Sequence, residues 1–296
     1  MKSKRIRLTV LIALIFSLFF IGYIYLEYGS SSTFDGQRAY RNVEIQMSFG
    51  PRTPGSQAHS QTIAWLVSEL ENYGWEVEIQ ELTYQGQPVR NVIARRGTGN
   101  RWIILGAHYD SRFVADQDPD PNLRSLPVPG ANDGGSGVGV LVELARVLPQ
   151  NLAKADQVWL VFFDSEDQGN LPGWDWIYGS RAFVNQLQGT PTAMVLLDMI
   201  GDADLNIFQE RNSDAELTRQ IWNSASALGY QDQFKQQTKY RMLDDHIPFI
   251  EKGIPAVDLI DFDYPYWHTS QDTIDKVSAA SLEAVGQTLI KWLTTP

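Results

Sequence analysis

VWLVFFDSED, residues 158–167, runs six apolar residues straight into four polar ones and ends on two adjacent carboxylates, Glu166 and Asp167. A short apolar run stopped by turn-forming residues has the length of a fully buried strand. Like charges side by side at its end are costly unless a cation or a shared proton compensates them. Similar runs lie on either side: RWIILGAHYD at 101–110, AMVLLDMIG at 193–201 and AVDLI at 256–260. WEVEIQELTY (75–84) and RNVIARR (90–96) alternate as half-buried strands do. Between the runs lie helical patterns. Residues 58–73 place Ile63, Leu66, Val67 and Leu70 on one face before Gly74, and ANDGGSGVGVLVELARVL carries Val140, Leu141, Leu144 and Val147. Residues 214–228 and 278–293 complete the set. Strands alternating with helices predict an α/β fold, a three-layer α/β/α sandwich around a mostly parallel, mixed sheet.

The chain has 296 residues, 43% of them hydrophobic, enough for one large domain with a sizeable core. A formal charge of -11 argues against nucleic acid as a partner. With no cysteine, any metal must be held by His, Asp and Glu. Residues 8–26 form an uncharged, mostly apolar run of 19 behind the basic flank of Lys2, Lys4, Arg5 and Arg7. Its length and flank predict a transmembrane signal anchor with residues 1–7 cytoplasmic, and a secreted protein if the segment is cleaved. Residues 27–36 are small and polar, as in a linker, leaving 37–296 as the folded domain, anchored on the extracytoplasmic side of the membrane. Nothing in the sequence indicates an oligomeric state.

Polar residues collect where the apolar runs stop: His108 and Asp110, Glu166 and Asp167, and Asp198, joined by Asp133 before a helix and His268 in YPYWHTSQD. In open α/β sheets such ends converge on one crevice. Two imidazoles among carboxylates suit zinc, with one carboxylate left free to move a proton beside the ion. Asp110, two residues beyond His108, is placed to orient its imidazole. Taken singly, each element has an ordinary structural explanation: a satisfied histidine, a capped helix, a glycine turn. His246 reads as structural, His59 as a surface residue, and the acidic loop 116–120 as solvated, with calcium binding the less favoured alternative.

The ordered set GAHYDS, PGANDGGSGVGVLVELAR, FFDSED, LLDMIG and WHTSQDT resembles the M28 zinc peptidase superfamily over about residues 40–293. Within it, YGSRAF, LLDMIGDAD, DDHIPFIEKGIPAVDLI and GPRTPGS are most similar to the glutaminyl cyclases, the glutaminyl-peptide cyclotransferases. The resemblance implies conversion of an N-terminal Gln of a peptide or protein to pyroglutamate with release of ammonia. It implies one Zn2+ on Asp133, Asp167 and His268, Glu166 as proton shuttle, Asp198 and Asp244 as its acidic network, and Trp174 and Trp267 lining the substrate pocket. Trp176 rivals Trp174, because QGNLPGWDWI differs in length from the animal enzymes.

Asp167 stands where the animal cyclases carry Glu, and Asp258 where they carry His. The alternative is a two-zinc M28-type aminopeptidase, in which His108 and Asp198 hold a second ion, Asp133 bridges, and Glu166 activates a water. A catalytically inactive, membrane-tethered binding domain is the third and weakest reading, since Glu166 and the ligands are intact.

Overall fold

The computed structural model describes residues 33–149 and 152–296. The expected span at 8–26, its flank and most of the expected linker lie outside them; among the described residues no helix is long and apolar enough to cross a membrane.

Strands β1 (Glu76–Tyr84), β2 (Gln87–Gly97), β3 (Trp102–His108), β4 (Gln157–Phe163), β5 (Ala193–Asp198) and β8 (Ala256–Ile260) form a six-stranded sheet in the order β1-β2-β4-β3-β5-β8. The pairs β3/β4, β3/β5 and β5/β8 are parallel, whereas β1/β2 and β2/β4 are antiparallel. The sheet is thus mixed and mostly parallel, as expected. Strands β3 and β5, and β8 at the sheet edge, are buried at every position. Such strands read as continuous apolar runs because both faces are covered.

Alternate residues of those runs pack on opposite sides. Ile103, Leu105, Ala107, Leu160, Val195 and Leu197 face α1 (Gly36–Phe49), α2 (Gln57–Asn72), α3 (Gly135–Val147), α5 (Ala215–Ala227) and α7 (Ala279–Thr294). Ile104, Val161, Phe163, Met194 and Leu196 face α4 (Tyr178–Gln186) and α6 (Ile247–Glu251). Three layers result. β6 (Ile207–Gln209) and β7 (Phe234–Thr238) form a separate small parallel sheet.

The folded unit begins earlier than the linker reading allows. Phe34 is buried against Gly286 of α7, and the Asp35 carboxylate accepts the Gln37 and Arg38 N–H groups as N-cap of α1. An Asp at that position satisfies orphan helix donors, so the polar stretch ends as a cap.

β3 leads through α3 to β4 on one side, and β4 leads through α4, on the opposite face, to β5 on the other side of β3. The crossovers therefore diverge at the carboxyl end of β3, where an open sheet leaves a crevice. Helix α3 packs this closely because Gly135 and Gly137 in its first turn carry no side chain. A Cβ on Gly137 would stand 2.3 Å from the Leu197 carbonyl oxygen of β5 and 2.9 Å from the Ala107 Cβ of β3. Gly137→Ala is expected to destabilise the fold by about 1–3 kcal/mol, as overpacking against backbone does. A urea midpoint unchanged from the parent would show that α3 has room to shift.

Candidate active site

His108 closes β3, Asp198 closes β5, and Glu166 and Asp167 follow β4 after Asp164 and Ser165. Asp133 precedes α3 and His268 lies on the loop after β8. The fold brings all six together. His108 Nε2 lies 3.1 Å from Asp133 Oδ1 and 3.2 Å from Asp198 Oδ1. His268 Nε2 lies 2.7 Å from Asp167 Oδ1 and 3.8 Å from Asp133 Oδ2. Two metal-competent triads, His108/Asp133/Asp198 and Asp133/Asp167/His268, therefore share Asp133, one oxygen turned to each.

Asp133 Oδ2 and Asp167 Oδ2 are buried with no hydrogen-bond partner. Burial, with Asp133 as neighbour, pushes the Asp167 carboxyl up to about 6, and burial also raises Asp198. Buried oxygens without donors, crowded by like charge, are what a divalent cation satisfies. Imidazole and carboxylate ligands in this number suit zinc.

Further carboxylates fix the ligands from behind. Asp272 accepts the Asn132 N–H at 2.9 Å, the Asp133 N–H at 3.2 Å and the Tyr264 hydroxyl at 2.7 Å. Asp116, gripped by the Arg112 guanidinium at 2.7 and 2.9 Å, lies 3.5 Å from His268 Nδ1. The loop 116–120 is accordingly not simply solvated: Asp118 is buried, accepting from the Ser270 N–H and hydroxyl beside His268. Asp110 lies 3.4 Å from His108 Nδ1 and accepts the N–H groups of Glu166 and Asp167.

A cavity of about 190 Å³ opens over the triads, lined by Glu166, Asp198 and Asp244 together with Trp176, Trp267, Ile260 and Phe262. The Trp267 ring stacks on His268 at 3.7 Å and that of Trp176 at 5.9 Å. Trp174 is not part of it. Its ring packs on Phe113 and Tyr178, at 5.7 and 5.8 Å, because Gly173 (φ 81°) and the left-handed Ile177 (φ 60°) turn the chain around the two tryptophans. Ser165, Met199 and His268 are left-handed too, each beside or within the ligand set. Non-glycine residues in that conformation cost about 1–3 kcal/mol apiece and collect at functional sites.

Burial raises the Glu166 carboxyl well above its usual value, and Asp167, Asp244 and Asp245 add to the effect. Burial and Asp198 push Asp244 up to about 7. Behind Asp244, the buried His246 lies 3.3 Å from Glu210 and 3.8 Å from Asp258; expected to be structural, it forms with Asp244 and Asp258 a third group able to hold an ion. His59, expected at the surface, is buried: its Nε2 lies 2.7 Å from Asp164 Oδ1 while the Arg90 guanidinium donates to Nδ1 at 2.8 Å. These tertiary partners come from strands far along the chain and leave no trace in the helix pattern around His59.

Residues 91–293 match the model of peptidase family M28. A bovine (Bos taurus) glutaminyl-peptide cyclotransferase-like protein is 29% identical over 75% of this chain and 66% of its own length. Among solved structures, a Zn-dependent exopeptidase from Parabacteroides distasonis superposes with a TM-score of 0.84 at 33% identity, and the Tannerella forsythia glutaminyl cyclase with 0.82 at 32%. Each pairing covers 89% of this chain and 99% of the other. With that extent of match, and with its polar residues gathered at the strand ends around two adjoining triads, the chain belongs to peptidase family M28.

Proposed function

We propose that the protein is a zinc-dependent glutaminyl-peptide cyclotransferase acting on peptides and proteins that begin with Gln. The observation that carries this reading is Glu166: a buried acid with a raised pKa, at the wall of a cavity one residue in size, beside the triad Asp133/Asp167/His268. The cyclase and cyclotransferase relatives support it. When bound, zinc supplies a Lewis acid for the side-chain amide oxygen of the substrate.

The protein's own groups do the rest. Trp176 and Trp267 wall the cavity and hold the Gln side chain folded toward its own α-amine, so that attack is intramolecular. Glu166 accepts a proton from the amine as the new C–N bond forms and returns it to the side-chain nitrogen, which leaves as ammonia. Asp198 and Asp244, both raised by burial, limit the negative charge around Glu166 and so leave it able to alternate between its two forms.

A second reading rests on the sharing of Asp133. A two-zinc aminopeptidase would use both triads, and the likeness to the Zn-dependent exopeptidase supports it. As to location, the apolar run 8–26 and its basic flank support a single-pass anchor with the catalytic domain outside the cytoplasmic membrane.

Glu166→Gln is expected to keep its zinc and lose about 10²–10⁴ in the rate of ammonia release from a Gln-initiated peptide, the usual range for a general acid/base; near-parental turnover would remove Glu166 from the reaction. His268→Ala is expected to lose zinc and activity together. Metal analysis of the parent separates the readings: one ion per chain and loss of ammonia support the cyclase, whereas two ions, one of them lost in His108→Ala, and release of a free amino acid support the peptidase.

In the metal-free protein the ionised form of Glu166 is lost as pH falls through its raised value, so an infrared carboxyl titration should show it protonating well above the ordinary value of 4.5; a midpoint at or below that value would show that burial and the neighbouring acids do not raise it.

A further inference from the structure

We propose that Asp244, His246 and Asp258 form a further zinc site, buried behind the catalytic cavity and distinct from the two triads that share Asp133. The inference does not depend on which reaction those triads serve.

The sequence marks the place, because AVDLI, residues 256–260, puts an acid at the centre of an apolar strand. Val257 and Leu259 of β8 join the core on one side of the sheet and Ala256 the core on the other, so alternation directs Asp258 toward α4 and α6. Asp258 is 0% exposed, and neither of its carboxylate oxygens has a hydrogen-bond donor among the described residues. The neighbours whose charges act on it, Asp244, Asp198 and Glu210, are all carboxylates. An acid in such a place is costly unless a cation or a proton compensates it.

The other two ligands come from the turn before α6. One ligand atom from each of Asp244, His246 and Asp258 lies within 4.8 Å of the others, and all three residues are buried. His246 Nδ1 lies 3.8 Å from Asp258 Oδ2. Two ligands of one zinc, each about 2.1 Å from it, can stand up to ~4.2 Å apart, so this pair is already close enough to share an ion. Asp244 Oδ1 accepts the Asp245 N–H at 2.6 Å, which fixes the carboxylate and leaves Oδ2 without a partner. Neither ring nitrogen of His246 makes a hydrogen bond. One imidazole and two carboxylates is also the donor set of each catalytic triad, so the same class of ion suits all three groups.

His246 is oriented from behind. Its Nε2 lies 3.3 Å from Glu210, near enough for a charged contact though not aligned as a hydrogen bond. Glu210 in turn accepts the N–H groups of Asn212 and Ser213 at 2.8 Å, the Met242 N–H at 2.9 Å and the Ser213 hydroxyl at 3.0 Å, which hold it in place as an anion. In the neutral ring that charge favours the proton on Nε2 and leaves the Nδ1 lone pair, on the side of Asp258, for an ion. A carboxylate behind the imidazole is the usual arrangement at a metal-ligating histidine. Asp244 also lines the catalytic cavity, which gives an ion its way in. Once bound, the ion ties the turn before α6 to the centre of β8.

The test counts zinc in the full chain after dialysis against zinc and removal of the excess. The double variant His108→Ala/His268→Ala, which takes a ligand from each catalytic triad, should retain about one zinc per chain, and adding Asp258→Asn should remove it. Zinc should also raise the melting temperature of the double variant and leave that of the triple variant unmoved. In crystals of the parent, anomalous scattering at the zinc edge should place a peak among Asp244, His246 and Asp258; should the variants fail to fold, that peak decides alone. A double variant free of zinc overturns the proposal and assigns the cluster to shared protons. Zinc held equally by the triple variant overturns it too, as does the absence of the peak. With this site filled, the total for the parent rises by one, so the ions that separate cyclase from peptidase are those lost in His108→Ala and in His268→Ala.

Discussion

One buried carboxylate, Asp110, ties together the two strands that carry the site. It follows β3, yet its oxygens accept the N–H of Glu166 at 3.0 Å, the N–H of Asp167 at 3.3 Å and the Gln168 amide at 2.9 Å, all beyond the end of β4. Burial alone would raise its pKa. The adjoining His108, the Gln168 amide and the Glu166 N–H outweigh that and hold it low, so it stays ionised. With their backbone fixed, Glu166 and Asp167 can keep two side chains of like charge at one cavity without the chain pulling away. Asp164 anchors the same segment just before them, taking the Arg90 N–H at 2.7 Å and His59 at 2.7 Å. The left-handed Ser165 between these two anchors is the strain such fixing can sustain.

The many acids of the site separate by what donates to them. Glu210, with the N–H groups of Asn212 and Met242 and the imidazole of His246 around it, is lowered to about 2 despite burial. Glu166, Asp245 and Asp258 are raised well above their usual values by burial and by other carboxylates. The first kind serves as fixed negative scaffolding; the second is pushed toward its protonated form. Asp272 lies between them: two N–H donors and a tyrosine hydroxyl do not overcome burial and Asp133, and it is pushed up to about 7. A cation on Asp133 would relieve that pressure, which couples metal binding to the protonation of Asp272.

How much of this could be read from the sequence depended on range. β3, β5 and β8 are buried on both faces and so appear as unbroken apolar runs, and the ligands appear because they stand where those runs stop. Helix α1 was hidden: its buried positions are Gly36, Ala39, Val43 and Gln46, too small or too polar to mark a stripe. β7, FKQQT, is polar and mostly exposed, and among the described residues pairs only with the three-residue β6. Trp174 and Trp176 could not be told apart because an irregular turn has no period. Asp116, which backs His268, and Asp272, which backs Asp133, were invisible as supports. Their roles are set by partners far along the chain, and no local pattern records them.

The ligand set by itself does not choose between the two chemistries available to this fold, since both triads are complete and share Asp133. The choice lies in the wall opposite them. Hydrolysis requires Glu166 to work on a water, which must have its own place beside a peptide bond. Cyclisation requires only that one residue be folded so that its amine and its side-chain carbonyl meet, which converts the attack into an intramolecular step. A cavity the size of one residue, walled by two tryptophans that both stack on His268, supplies that confinement. Its specificity therefore rests on the first residue, which the cavity reads by shape.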